Sequence, residues 1–170
     1  MLAWFGLDDT ASPGEADRLL ADLAQDMAAT GHRVAGAIQI NRDLGADCAC
    51  DMDLIVLGDE TNPIRISQSL GGGSSGCRLD TGALELAAAR LQARMDGAAL
   101  MILPKFGRQE AVGRGFRDVI GQAMLQGIPV LLHVPRQQRQ AFQDFAQGMA
   151  TRLQPADLVT WCHRQLTEAA

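Results

Sequence analysis

The chain has 170 residues, 47% of them hydrophobic and 21% charged, with a mean hydropathy near zero, which is enough for one globular domain with a substantial core. A formal net charge of -5 and a pI near 5.1 exclude a general binder of nucleic acid or of an anionic membrane, because both partners would be repelled at long range. A local basic pocket is still compatible with that balance.

The opening MLAWFGL is apolar but has no cationic leader or cleavage site and is too short for a signal core or a membrane span, so it reads as a first strand. Four cysteines without a secretory signal point to a reducing cytoplasm, where thiols serve metal binding, redox chemistry or packing more often than structural disulfides. No tandem repeat or low-complexity tract is visible.

After the first strand, Asp8, Asp9 and Thr10 form a loop, and Ser12-Pro13-Gly14-Glu15 has capping-box spacing with proline at the first helical position. Ala16, Leu19, Leu20, Leu23, Ala24 and Met27 then keep one face of a helix that Gly31 closes. Residues 33–40 (RVAGAIQI) read as a second strand, parallel to the first in a right-handed βαβ unit, which sets Asp8 and Asp9 at a strand's carboxyl end. From 41 to 80 the pattern changes: residues 52–57 and 64–67 read as short strands of an antiparallel hairpin appended to the sheet. Gly71, Gly73 and Gly76 satisfy G-x-G-x-x-G, but no helix begins there, so the stretch reads as a loop rather than a dinucleotide fingerprint.

A helix over residues 82–95, with Leu84, Ala88, Leu91 and Met95 inward, leads through Gly97 into the central apolar run 98–103. Pro104 ends that run, and Lys105, Arg108, Glu110, Arg114 and Arg117 follow before helical spacing resumes through Val112, Phe116, Val119, Ile120, Ala123 and Met124. Lys105 is the single lysine among fifteen basic residues. Beyond the carboxyl ends of parallel strands, such cations, with Arg78 near another loop end, suit an anionic ligand at a helix N-terminus. A solvated, salt-bridged surface accounts for the same charges.

Residues 128–134 (IPVLLHV) form another buried strand with His133 near its carboxyl end. A helix carrying Phe142, Phe145, Ala146, Met149 and Leu153, a short strand at 158–160 and a C-terminal helix complete the pattern. The alternation predicts a three-layer α/β fold with a mainly parallel sheet. Met95, Met124, Met149, Trp4 and Trp161 read as core.

Cys48 and Cys50, beside Asp51 and Asp53, meet Cys77 if the two irregular segments lie together, and three thiolates suit zinc or another soft metal. Buried small hydrophobes are the alternative reading. His163 beside Cys162 lies far away in a helical stretch.

The strings RVAGAIQ, CDMDL, ISQSLG, GCRLDTGAL, KFGRQEAVGRGF and GIPVL resemble a bacterial family of unknown function. That family is related to the small nucleoside-triphosphatases of thermophiles, a branch of the P-loop fold, and is sometimes encoded beside molybdate-transport genes. The resemblance implies a single P-loop-NTPase-like domain over residues 1–170 and no established activity or cofactor. Residues 7–17 (LDDTASPGEAD) occupy the place of the phosphate-cradling loop but contain no Gly-Lys-Ser or Gly-Lys-Thr, and Pro104 and Lys105 stand where the Walker B acids belong. Without that lysine and metal clamp, ordinary NTP hydrolysis loses the positioning and electrostatic stabilisation that drive it.

On this fold Asp8, Asp9, Lys105 and His133 converge, and the swapped charges pair across the old nucleotide pocket, as part of a site or as an ion pair closing a vestigial one. The expected ligand is a small anion, an oxyanion or nucleotide, bound by residues drawn from Asp8, Asp9, Arg78, Lys105, Arg108, Glu110, Arg114 and His133. The alternatives are a pseudoenzyme acting through protein contacts and a cysteine-based metal protein linked to molybdenum metabolism. The sequence specifies no oligomeric state.

Overall fold

In a computed structural model that describes residues 1–42, 51–68 and 78–168, the apolar start of the chain is strand β1 (Leu2–Phe5), followed by helix α1 (Glu15–Ala29). The capping signal acts in part: the Glu15 carboxylate accepts the Ser12 N–H at 2.8 Å. The helix nevertheless begins at Glu15, because Gly14 takes the left-handed conformation (φ 73°) at the N-cap, so Pro13 is outside it. Strand β2 (Val34–Arg42), the antiparallel β3 (Asp51–Val56) and β4 (Ile64–Arg65), and a separate pair of β5 (Ser67–Gln68) and β6 (Arg78–Leu79) come next. Helix α2 (Thr81–Gln92) starts where the Asp80 carboxylate accepts the Ala83 N–H at 2.9 Å, and leads to β7 (Leu100–Leu103).

The second half departs twice from the sequence pattern. The single helix expected from Val112 onward is two, α3 (Arg108–Ala111) and α4 (Arg117–Leu125). Gly113 and Gly115 take φ of 85° and 60° between them, a conformation no helix tolerates, and Val112 is left 65% exposed. After β8 (Val130–His133), helix α5 (Arg139–Ala146) ends at two consecutive left-handed residues, Gln147 and Gly148. The last strand, β9 (Ala150–Leu153), therefore lies where helix was expected, and residues 158–160 open helix α6 (Leu158–Glu168) rather than forming a strand. Leu153 accordingly sits in β9, and Met149, read as helix core, is outside α5 and 61% exposed.

Among the described residues the main sheet has seven strands in the order β4-β3-β2-β7-β8-β1-β9. The five from β2 to β9 are mutually parallel, with β3 and β4 added antiparallel at one edge as the hairpin pattern implies. β1 and β2 run parallel, separated by β7 and β8. Side chains of the central strands alternate between two cores: Trp4, Met101, Leu103, Val130 and Leu132 face α2, α4 and α5, whereas Phe5, Leu100, Ile102 and Leu131 face α1 and α6. Strands buried on both faces explain the unbroken apolar runs in the sequence. Gly36 of β2 opposes Ile102 of β7 so closely that a Cβ there would lie 1.9 Å from the Ile102 carbonyl oxygen. No helix among the described residues is long and apolar enough to cross a membrane.

Candidate functional site

The carboxyl ends of β1, β7 and β8 open on one side of the sheet, and the loop after β1 folds over them to make a cleft of about 310 Å³. Asp8, Asp9, Asp17, Lys105, His133 and Arg136 are among its lining residues. A neighbouring cleft of about 460 Å³ shares Asp8, Asp9 and Arg136 and adds Arg139 and Arg152. The packing of β1 beside β8, with β7 beyond, is what brings Asp8 and Asp9 into one cavity with Lys105 and His133.

Within that cavity the charges do not pair as the sequence pattern implies. Asp8 turns back on its own loop, accepting the Thr10 N–H at 3.1 Å and the Thr10 hydroxyl at 2.5 Å, which holds its carboxyl below the ordinary range. Asp9 is salt-bridged to Arg136, whose short turn after β8 reaches it first. Lys105 is half-buried and makes no hydrogen bond or ion pair among the described residues, although its charge is felt at Asp17, Glu110 and His133. His133 stacks against Phe5 at 5.2 Å and is pushed down to about 4 by burial and by the cations Lys105 and Arg139, so it is neutral at ordinary pH.

Above the end of β7 the longer β2 supplies a polar wall. Gln39 donates to Asp17 at 3.2 Å and to the Asn41 side-chain oxygen at 2.7 Å, and Asn41 donates to Asp17 at 2.7 Å. Burial raises the Asp17 carboxyl above its usual range, against the opposing pull of the Asn41 hydrogen bond and of Lys105 and Arg18. On the other flank Arg139 donates to the Leu7 carbonyl at 3.2 Å, and its Nε is buried without a partner among the described residues.

Other residues singled out in the sequence lie elsewhere. Glu110 is buried, and its carboxylate accepts the N–H groups of Gly107 at 2.8 Å and Phe116 at 3.0 Å, so it fastens the turn between α3 and α4. Arg108 and Arg114 are exposed and line neither cleft. Arg78 begins β6, and its side chain lies outside the described residues, as do Cys48, Cys50, Cys77 and the glycines of the G-x-G-x-x-G match. Asp51 and Asp53, beside the first two cysteines in sequence, each meet Arg65 at 2.5 Å. No group of three metal-binding side chains occurs among the described residues. Cys162 is buried, its thiol pushed up to about 12, and behaves as a small core hydrophobe.

The two clefts and the polar wall beside them also draw on residues that the sequence pattern does not mark. Arg136 and Arg139 follow the stop of β8 as Lys105 follows that of β7, so the same strand-end rule applied to residues 135–139 would have found them. Asp17 lies in the first turn of α1, inside the string already recognised as the phosphate-loop position. Gln39 carried only the signal of a polar residue between Ile38 and Ile40 in an apolar strand.

A family model described as "Protein of unknown function (DUF2478)" matches residues 9–161. The chain is also 39% identical over 156 residues to "Molybdenum import ATP-binding protein ModC 2" of Bradyrhizobium diazoefficiens, a match covering 90% of this chain but only 16% of that protein's length. Among solved structures, THEP1 from the hyperthermophile Aquifex aeolicus superimposes with a TM-score of 0.60 at 12% identity, over 99% of this chain and 98% of THEP1. That likeness gives the fold, which is that of the P-loop NTPases.

Proposed function

The chain belongs to this family of unknown function, and from that premise we propose that it binds a small oxyanion or phosphate-bearing ligand at the strand ends without ordinary NTP hydrolysis. The observation that carries the reading is Lys105: a half-buried cation in a cleft, beside neutral His133 and close to Arg136, with its own donors unused. An anion supplies the acceptors that such a group lacks. Arg139 and Arg152 extend the cationic side into the neighbouring cleft. Hydrolysis is disfavoured because the loop of residues 7–17 offers carboxylates where a P-loop offers a lysine and a magnesium-binding hydroxyl.

The test is the unfolding temperature of the reduced protein titrated separately with phosphate, sulfate, molybdate and magnesium-ATP, since a ligand selective for the folded state raises it by mass action. A saturable rise with at least one of these, lost in Lys105→Met, together with no phosphate release from ATP, is the expected result. No rise with any of the four at millimolar concentration overturns the reading.

A second reading is favoured by the relative in Bradyrhizobium. A segment like this chain forms about a sixth of a protein named as a molybdenum import ATP-binding protein, which suits a regulatory module acting through protein contacts. On that reading molybdate is the first oxyanion to try.

A further inference from the structure

The hydrogen-bonding groups left over in the smaller cleft are mixed in sign. Lys105 has donors unused among the described residues. Asp17 receives both amides on the same oxygen, Oδ2, which leaves Oδ1 without a hydrogen bond among the described residues. Gln39 is 5% exposed, and its Oε1 is buried with no partner among the described residues. The orientation of that amide is fixed by its neighbours, because turning it over would set Oε1 against Asp17 Oδ2 and Asn41 Oδ1, two acceptors that now receive its N–H groups. A carboxylate has acceptors only, so its unengaged oxygen favours a ligand that can donate to it. Asp17 lines the cavity in which Lys105 stands, and Gln39 holds it there from β2 by donating to Oδ2.

We propose that this cleft selects an oxyanion that still carries a proton, of the hydrogenphosphate class, over fully ionised oxyanions such as sulfate and molybdate. The inference rests on the oxyanion reading above and specifies its ligand. Hydrogenphosphate accepts from Lys105 with its charged oxygens and donates its remaining O–H to Asp17 Oδ1. Sulfate and molybdate have acceptors only near neutral pH, so they answer Lys105 but force an oxygen against the Asp17 carboxylate. Asp8, Asp9 and Glu15, which line the same cleft, repel all three dianions alike, so the O–H donated to Asp17 is what separates them. Specificity of this kind comes from buried polar groups that the wrong ligand leaves unpaired.

The experiment is isothermal titration of the purified chain with inorganic phosphate, sodium sulfate and sodium molybdate at matched ionic strength and slightly alkaline pH. Phosphate is expected to bind at least about tenfold tighter than either of the others. In Asp17→Asn the acceptor becomes an amide and the discrimination collapses to within about threefold. Gln39→Met, which removes the amide that holds Asp17 in place while keeping the volume, reduces it in part and serves if the Asp17 variant does not fold. Sulfate or molybdate binding as tightly as phosphate overturns the selectivity while leaving oxyanion binding intact. Binding of none of the three overturns both. Discrimination that survives in both variants removes Asp17 and Gln39 as its cause.

Discussion

Arg139 donates from Nη2 to the Leu7 carbonyl at 3.2 Å, lying flat against Gly6, where a Cβ would come within 2.6 Å of the same nitrogen. The absence of a side chain at position 6 thus lets an arginine from α5 tie down the start of the loop that carries Asp8 and Asp9. Gly6→Ala pushes the guanidinium away and breaks the bond. The atom displaced is the end of a flexible side chain, so the fold survives with a loss of about 1 kcal/mol, or a few degrees in Tm. Thermal unfolding checks the cost, and titration with phosphate checks the expected weakening of binding. An unchanged variant would mean that the arginine holds nothing in place.

His133 makes stability depend on acid. Its folded-state pKa of about 4 lies below the ordinary 6.5, so the unfolded chain takes up the proton first and stability is lost as pH falls from about 6.5 toward 4. At pH 5 the loss attributable to His133 is about 2 kcal/mol. Glu110 and Asp17, both raised by burial, act in the opposite sense, since each favours the folded state as it protonates. Urea unfolding of wild type and His133→Gln at neutral pH and near pH 5 isolates the histidine: the variant is expected to lose less on acidification. Parallel pH profiles would show that His133 is not the group responsible.

Gly36 and Gly31 separate two reasons for glycine. At Gly36 the conformation is left-handed (φ 147°) and a Cβ would lie 1.9 Å from backbone that cannot yield without parting β2 from β7. Gly36→Ala is expected to cost more than about 4 kcal/mol and to leave little folded protein. Gly31, at φ 82° with nothing within 4 Å, costs only the strain of a left-handed residue, about 1 kcal/mol, on conversion to alanine. Circular dichroism melts of the two variants distinguish them, and equal losses would refute the contact.

The parts of the molecule that the sequence discloses are those in which one local signal decides the outcome. β1, β7 and β8 are buried on both faces and read as apolar runs, and Asp80 and Gly97 punctuate α2 and β7 as their residue types require. Lys105 stands out by composition alone. What is not legible depends on partners distant in sequence. β9 is half-polar, with Thr151 and Arg152 exposed, and is a strand because β1 offers it an open edge, a property of the sheet rather than of Ala150–Leu153. The salt bridge of Asp9 and Arg136 joins residues 127 positions apart, and the meeting of Asp17 with Gln39 requires β2 to overhang the end of β7.

Phe142, Phe145, Ala146, Met149 and Leu153 keep helical spacing across residue 147, so nothing apolar marks the stop. The stop is in the backbone: Gln147, at the C-cap of α5, adopts φ 47° and ψ 40°, and Gly148 follows at φ 80°. Glycine is the residue that suits the first left-handed position after a helix. Glutamine at that position retains a steric cost of roughly 1–2 kcal/mol. Its side chain is exposed and makes no hydrogen bond among the described residues, so removing it sacrifices no contact. Gln147→Gly relieves the strain but adds unfolded-state freedom worth roughly 0.5–1 kcal/mol, leaving a net stabilisation of about 0.5 kcal/mol or somewhat more. Gln147→Val, β-branched and less tolerant of positive φ, moves the other way. Urea midpoints in the order glycine, glutamine, valine are the expected result. A glycine variant less stable than wild type would mean that the glutamine conformation costs less than the backbone freedom gained.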